Sequence, residues 1–202
     1  MSLEPVMPPY NASDPSATFL SSSCLDFLLI ELVPFAHRIA QERDLAPRPT
    51  EANQDNEDEL DAVHMRLESL GYRVGQGLVE RFSRDRPRFN DALDVIKFLC
   101  KDLWSLVFGK NIDNLKTNHR GVYVLTDNLF RPFSRMSTDA GGQAIVRAQP
   151  PNTLLTLAQF LWFPCGVVRG ALAALGINST VQAEISELPG AVFQIKTLSL
   201  KS

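Results

Sequence analysis

Two stretches decide the architecture: Leu70-Gly71-Tyr72-Arg73-Val74-Gly75-Gln76-Gly77-Leu78-Val79-Glu80-Arg81-Phe82 and, far downstream, Pro164-Cys165-Gly166-Val167-Val168-Arg169-Gly170-Ala171-Leu172. Each sets glycines among apolar residues, the pattern expected where a helix must approach another backbone closely, and each puts an arginine beside such a glycine. Gly71, Gly75, Gly77, Cys165, Gly166, Arg169 and Gly170 therefore read as a packed scaffold and not as a reaction centre. Arg169, inside an apolar run, must reach an aqueous edge or pair with a carboxylate or carbonyl.

Upstream of the first stretch, Leu60, Val63, Leu67 and Leu70 recur at helical spacing, and Gly71 is placed to end that helix in a left-handed turn. A restart from Gly75 to about Ser83 follows, and Asn90 is placed to cap a further helix to about Phe108. There Leu93, Ile96, Cys100, Leu103 and Val107 share a face, which makes Cys100 a core residue.

Nearer the N-terminus, a helix over Ser22–Glu42 carries Leu25, Leu28, Leu29, Leu32 and Ala36 on one stripe. Phe27 and Ile30 fall on other faces, so this helix has more apolar surface than one neighbour covers. Pro34 interrupts it. Residues 1–20, rich in Pro, Ser and Asn, read as a tail preceding a single domain over 21–202. Linker insertions are expected near 44–57 and 137–152, where acids, prolines and Gly141-Gly142 displace large apolar residues.

After Phe108 the period changes from helical to alternating. Val122–Thr126 is a strand, Asp127-Asn128 a turn, and Leu129–Phe133 the expected returning strand. Val181, Ala183 and Ile185 alternate with polar residues before Pro189-Gly190 turns the chain into a strand near Val192–Leu198. Two hairpins separated by a helix give an α+β protein with an antiparallel sheet.

The apolar run Leu154–Leu175 is close to the ~20 residues a bilayer requires. It contains Gln159, Pro164 and Arg169, and an arginine at that depth costs at least ~2.5 kcal/mol, so the run is read as a central helix of a globular domain.

The chain has 202 residues, formal net charge -3 and 45% hydrophobic residues, which suit one ordinary globular domain and give no overall attraction to nucleic acid. Cys24, Cys100 and Cys165 are an odd count without paired spacing, so no disulfide framework or zinc site is expected. Catalytic signals are equally sparse. Gly75-Gln76-Gly77 has Glu80 where a dinucleotide loop needs a small residue, and His37, His64 and His119 lack metal-ligand spacing. Ser21-Ser22-Ser23-Cys24 has no identifiable base and reads as a helix cap. Arg81, Arg84, Arg86 and Arg88 form a basic cluster balanced by Glu80, Asp85 and Asp91, read as a solvated helix end, with a contact to acidic lipid or an acidic partner as the alternative. No catalytic, cofactor-binding or metal-binding residue, and no cofactor, is assigned.

The two glycine stretches, with Asp94-Val95-Ile96-Lys97-Phe98, Asn114-Leu115-Lys116-Thr117-Asn118-His119 and Gly121-Val122-Tyr123-Val124-Leu125, resemble the small-subunit family of the transport protein particle (TRAPP), most closely its subunit-six branch. The resemblance implies a plait of helices on one side of a four-stranded antiparallel sheet. It also implies a non-catalytic subunit of a vesicle-tethering and Rab-activating assembly, cytoplasmic and peripheral at Golgi and endoplasmic reticulum membranes. The expected partners are other TRAPP subunits, above all an acylated sister small subunit, with a Rab GTPase met through the complex and a homodimer available to the isolated chain. The stretch corresponding to the sister's acylated segment, Ser83–Asn90, has no cysteine, so acylation is not carried over; an apolar-ligand module of the same fold is the alternative. Partner contact is assigned to Phe27, Leu28, Ile30, Val63 and Leu67, because an interface of standard size buries roughly 1,600 Å² and needs surplus apolar faces.

Overall fold

A computed structural model describes residues 20–43, 52–138, 144–145 and 156–198. Its helices are α1 (Ser22–Arg43), α2 (Ala52–Phe82), α3 (Ala92–Phe98), α4 (Trp104–Phe108) and α5 (Trp162–Ala174). Its strands are β1 (Asn114–Thr117), β2 (Val122–Asp127), β3 (Ser137–Thr138), β4 (Ala144–Ile145), β5 (Ser179–Ile185) and β6 (Ala191–Thr197). An antiparallel four-stranded sheet has the order β1-β2-β6-β5, so the two hairpins join through β2 and β6. β3 and β4 form a separate antiparallel pair.

Alternation assigns the two faces of the sheet. Tyr123, Leu125 and Asp127 on β2 register with Ile195, Phe193 and Ala191 on β6, and all six are buried under the helices. The intervening Val122, Val124, Gln194 and Lys196 point away from them. Beneath the sheet, Trp104, Phe108, Phe130, Phe133 and Phe193 form a chain of tilted and edge-on ring contacts with centroids 4.6 to 5.5 Å apart between successive neighbours.

The expected break at Gly71 does not occur. α2 runs continuously through Gly71, Gly75 and Gly77 because α5 crosses it there with no room for side chains. A Cβ on Gly71 would lie 2.2 Å from the Phe163 carbonyl oxygen, and one on Gly75 2.1 Å from that of Val167. The relation is reciprocal: a Cβ on Gly166 would lie 2.2 Å from the Glu68 carbonyl oxygen, and one on Gly170 2.0 Å from that of Tyr72. Four-residue spacing on both helices keeps the glycines on one face of each. Gly77 has open space around its Cβ position and takes no part in the crossing.

Other differences have local causes. Residues 52–57 of the expected linker already belong to α2, while residues 44–51 and residues 1–19 of the expected tail lie outside the described residues. Asp91, not Asn90, caps α3, accepting from the Asp94 amide at 2.7 Å. Leu129–Phe133 does not return as a strand; a 3₁₀ turn, Arg131–Arg135, begins there with Pro132 near its start, where a missing amide costs little. β1 takes the strand role instead, closing on β2 through Asn118-His119-Arg120-Gly121. Asn118 Oδ1 accepts from the Arg120 and Val122 amides, and Gly121 has φ 85°. Within the expected loop 137–152, β3 and β4 pair, and the remaining residues after Thr138 lie outside the described ones. The central apolar helix opens as a 3₁₀ turn, Leu157–Leu161, with Thr156 and Gln159 as a capping box; residues 154 and 155 are not described.

A π-turn over Leu99–Leu103 joins α3 to α4. It diverts the Cys100 carbonyl from the helical ladder, and Ile112 N–H donates to it at 3.0 Å, tying the following loop to the helix.

Two substitutions distinguish contact from mere glycine content. Gly75→Ala places a methyl group against α5 backbone and is expected to lower unfolding free energy by about 1–3 kcal/mol. Gly77→Ala, in open space, is expected to leave stability unchanged or raise it by up to about 1 kcal/mol. Equilibrium urea unfolding of both variants checks the contrast.

Candidate partner interface

α1 has two apolar faces. Its inner residues Val33, Ala36 and Ala40 join one core cluster with Val63 and Leu67 of α2. Polar links fix the same contact: Arg66 donates to the Ala36 carbonyl at 3.3 Å, and His37 and Gln41 meet Glu59 at 3.3 and 3.2 Å. Asp26 pairs with Arg131 at 2.7 Å, holding the start of α1 to the 3₁₀ turn after β2.

Among the described residues, nothing covers the outer face in this way. Phe27 and Leu28 are 67% and 59% exposed, Phe35 is also exposed, and Ile30 is half-buried. Leu60, Met65, Leu70 and Val74 add exposed apolar side chains along α2. Phe35 was not singled out from the sequence, although it lies seven residues after Leu28 and hence on the same side of α1. The Arg38 guanidinium sits 5.6 Å from the Phe35 ring centroid and pairs with Glu31 at 2.6 Å, so a local ion pair borders this aromatic.

Val63 and Leu67, expected at the partner surface, are instead 0% and 1% exposed. Their periodicity is real, but it marks the face of α2 that the chain covers itself. Gly71, Gly75, Gly166 and Gly170 meet at the α2–α5 crossing, beside which Cys165 is buried. Arg169 reaches back across it: Nε lies 2.9 Å from Glu68 Oε1, and the guanidinium carbon is 5.0 Å from the Tyr72 ring centroid.

The thiols at positions 100 and 165 are poor nucleophiles. Burial pushes the Cys100 pKa up to about 12, and burial plus the Glu68 charge pushes that of Cys165 up to about 12, leaving both protonated at neutral pH. Cys24 is exposed on α1. Among the described residues no group of three His, Cys, Asp or Glu side chains is placed to hold a metal ion.

Charged groups elsewhere are used structurally. Arg86, expected on a solvated helix end, has a buried side chain, pairs with Asp102 and lies 4.8 Å from the Phe98 ring centroid, while Phe89 packs on the same ring. Asp127 accepts from Trp104 Nε1 and Lys110 Nζ, each at 2.8 Å, and from the Leu129 amide at 3.0 Å. Lys110 also donates to Asp113, which accepts from the Asn128 amide. For Lys110, desolvation opposes the charge, but the bonds to Asp113 and Asp127 outweigh it and raise its pKa. For Asp113, the Lys110 bond and then the Asn128 amide lower it.

The Asp113 contribution is thus present above the ordinary aspartate value near 3.8 and disappears as pH falls through the lower folded value. The Lys110 contribution is present below about 10.5 and disappears as pH rises through its higher folded value. Asp113→Asn is expected to flatten the loss of stability on the acid side, read from unfolding midpoints between neutral pH and pH 3.

The family model for "Transport protein particle (TRAPP) component" matches residues 25–198. Trafficking protein particle complex subunit 6b of Danio rerio is 52% identical over 130 residues, covering 64% of this chain and 76% of its own. Subunit 6B of Homo sapiens is 51% identical over 130 residues, covering 64% and 75% respectively. A solved structure of trafficking protein particle complex subunit 3 from Naegleria fowleri, covalently bound to palmitic acid, superposes with a TM-score of 0.59 at 13% identity. It covers 88% of this chain and 96% of that one, a likeness of fold.

Proposed function

Because the chain belongs to the TRAPP component family, on its subunit-six branch, we propose that it is an architectural subunit that docks a sister small subunit through the outer faces of α1 and α2. One observation carries this reading: Phe27, Leu28 and Phe35 stand exposed on a helix whose opposite face is already committed to the core. Isolated apolar residues on a surface are ordinary, but several along one helix and more along its neighbour are what a partner interface requires. The polar Glu31–Arg38 pair suits a rim position.

In this role the chain acts in vesicle tethering between the endoplasmic reticulum and Golgi, cytoplasmic and peripheral to those membranes. It contributes to Rab nucleotide exchange by holding the assembly together, without exchange chemistry of its own. A second reading, an acyl-chain module, draws on the palmitate of the Naegleria structure. Against a covalently held chain stand the protonated thiols of Cys100 and Cys165, and Arg86 and Phe89 of the Ser83–Asn90 region pack on Phe98.

Co-expression with the sister subunit is expected to give a stable one-to-one heterodimer. Phe27→Asp with Leu28→Asp alters exposed positions, so the fold is retained while binding weakens by about 2 kcal/mol or more, roughly thirtyfold. Isothermal titration with a folded double variant decides; unchanged affinity moves the interface elsewhere. Added alone to a Rab loaded with fluorescent nucleotide, the chain is expected to leave the release rate unaltered, and acceleration would reassign it as an exchange factor.

A further inference from the structure

The face of the sheet turned away from the helices ends in a basic region. Three segments meet there: the β1–β2 connection, the start of β5 and the end of β6. Thr197 N–H donates to the Gly121 carbonyl at 2.8 Å, and Leu198 N–H to that of Asn178 at 2.8 Å. Residues 116–122, 177–181 and 194–198, which supply this end, contain no Asp or Glu, although the chain has 23 of them. They do contain Lys116, Arg120 and Lys196, all exposed, with exposed His119 beside them.

Register brings the lysines onto one face. Lys116 pairs with Val124 and Lys196 with Val122, so both alternate with the inward Leu115, Tyr123 and Ile195 and project outward. Among the described residues, neither lysine nor Arg120 has a side-chain ion pair, unlike Lys97 and Lys110. Leu198, 57% exposed, stands next to them at the end of β6.

We propose that this end of the sheet, built on Lys116, Arg120, Lys196 and Leu198, is a contact for an anionic lipid surface. Cationic side chains on a broad face bind lipid phosphates and carboxylates without requiring a shaped pocket, at a strength of about 1 kcal/mol for each basic residue near the surface. An exposed leucine among them can enter the boundary between headgroups and acyl chains, which an acidic polypeptide would not require. The contact is weak for one chain and gains from attachment to a larger assembly that presents it repeatedly. It is independent of the partner assigned to α1 and α2, since the helices cover the other face of the sheet.

The test is sedimentation of the full chain with phosphatidylcholine vesicles, with and without phosphatidylserine. Expected are binding only to the phosphatidylserine vesicles, loss of binding at high salt, and at least about a tenfold fall in bound fraction for K116E/R120E/K196E. Leu198→Ser is expected to reduce binding without abolishing its salt dependence. K101E/R84E/R88E makes the same change of net charge at other exposed positions and is expected to retain most binding. Circular dichroism establishes that each variant is folded. Equal loss in both charge-reversed variants would reduce the effect to net charge and overturn the proposal. So would absence of binding by the wild-type chain, or binding of a polyglutamate peptide in preference to the vesicles.

Discussion

The contact between α2 and α5 is made by backbone, and the continuity of α2 depends on it. Each interior glycine costs a helix about 1 kcal/mol relative to alanine, so Gly71, Gly75 and Gly77 weaken α2 taken alone. At Gly71 and Gly75 that local cost admits α5, whose Gly166 and Gly170 admit α2 in return. Removing Cβ atoms from both sides lets the peptide groups themselves pack, while flanking Cys165, Val168 and Leu172 supply buried apolar area. Helix continuity and helix contact are therefore a single cooperative event. Arg169, paired with Glu68 and placed over Tyr72, fastens that event at its partly exposed margin.

A second constraint lies where the sheet meets the aromatic core. Asp127 is wholly buried at the end of β2, a position that would be costly for an unpaired carboxylate. Trp104 in α4, Lys110 in the loop after it and the Leu129 amide all donate to it, so one side chain joins a helix, the loop after it and the turn after the strand. The aromatic rings give the core its volume; this directional cluster fixes how α4 sits on the sheet.

Legibility followed the range of the interactions. β2, β5 and β6 were readable because alternation records which face is buried, and α1 because its apolar stripe is long. The continuity of α2 was not readable from its own residues, since glycine after Leu70 has the local form of a stop and only α5 reveals its use. Leu129–Phe133 misled for a related reason: Phe130 and Phe133 join the aromatic cluster from the cap and body of a 3₁₀ turn, while the short, polar β1 supplies the strand. Of the residues expected at a partner surface, Phe27 and Leu28 are exposed and Ile30 is half-buried, whereas Val63 and Leu67 are buried within the chain. Phe27 and Leu28 lie off the self-covered face, but Val63 and Leu67 belong to it, and periodicity alone does not distinguish a face covered internally from one covered by another chain.

The chain thus divides its surface by chemistry as well as by position. Apolar side chains remain exposed on α1 and α2, where dry contact with a preorganised helical surface would yield affinity by removing area from water. The acid-free end of the sheet offers charge without concavity, suited to a surface whose headgroups move. Both could operate together because the sheet places them on different sides of the fold: one face is filled by the helices, and no described helix covers the other. A bound sister subunit on the helical side would order the assembly without consuming the basic end. That end in turn would contribute little affinity alone and more when several subunits approach one membrane at once. On these two proposals, architecture and membrane contact would be separable properties of one small domain, joined only through the packed layer between them.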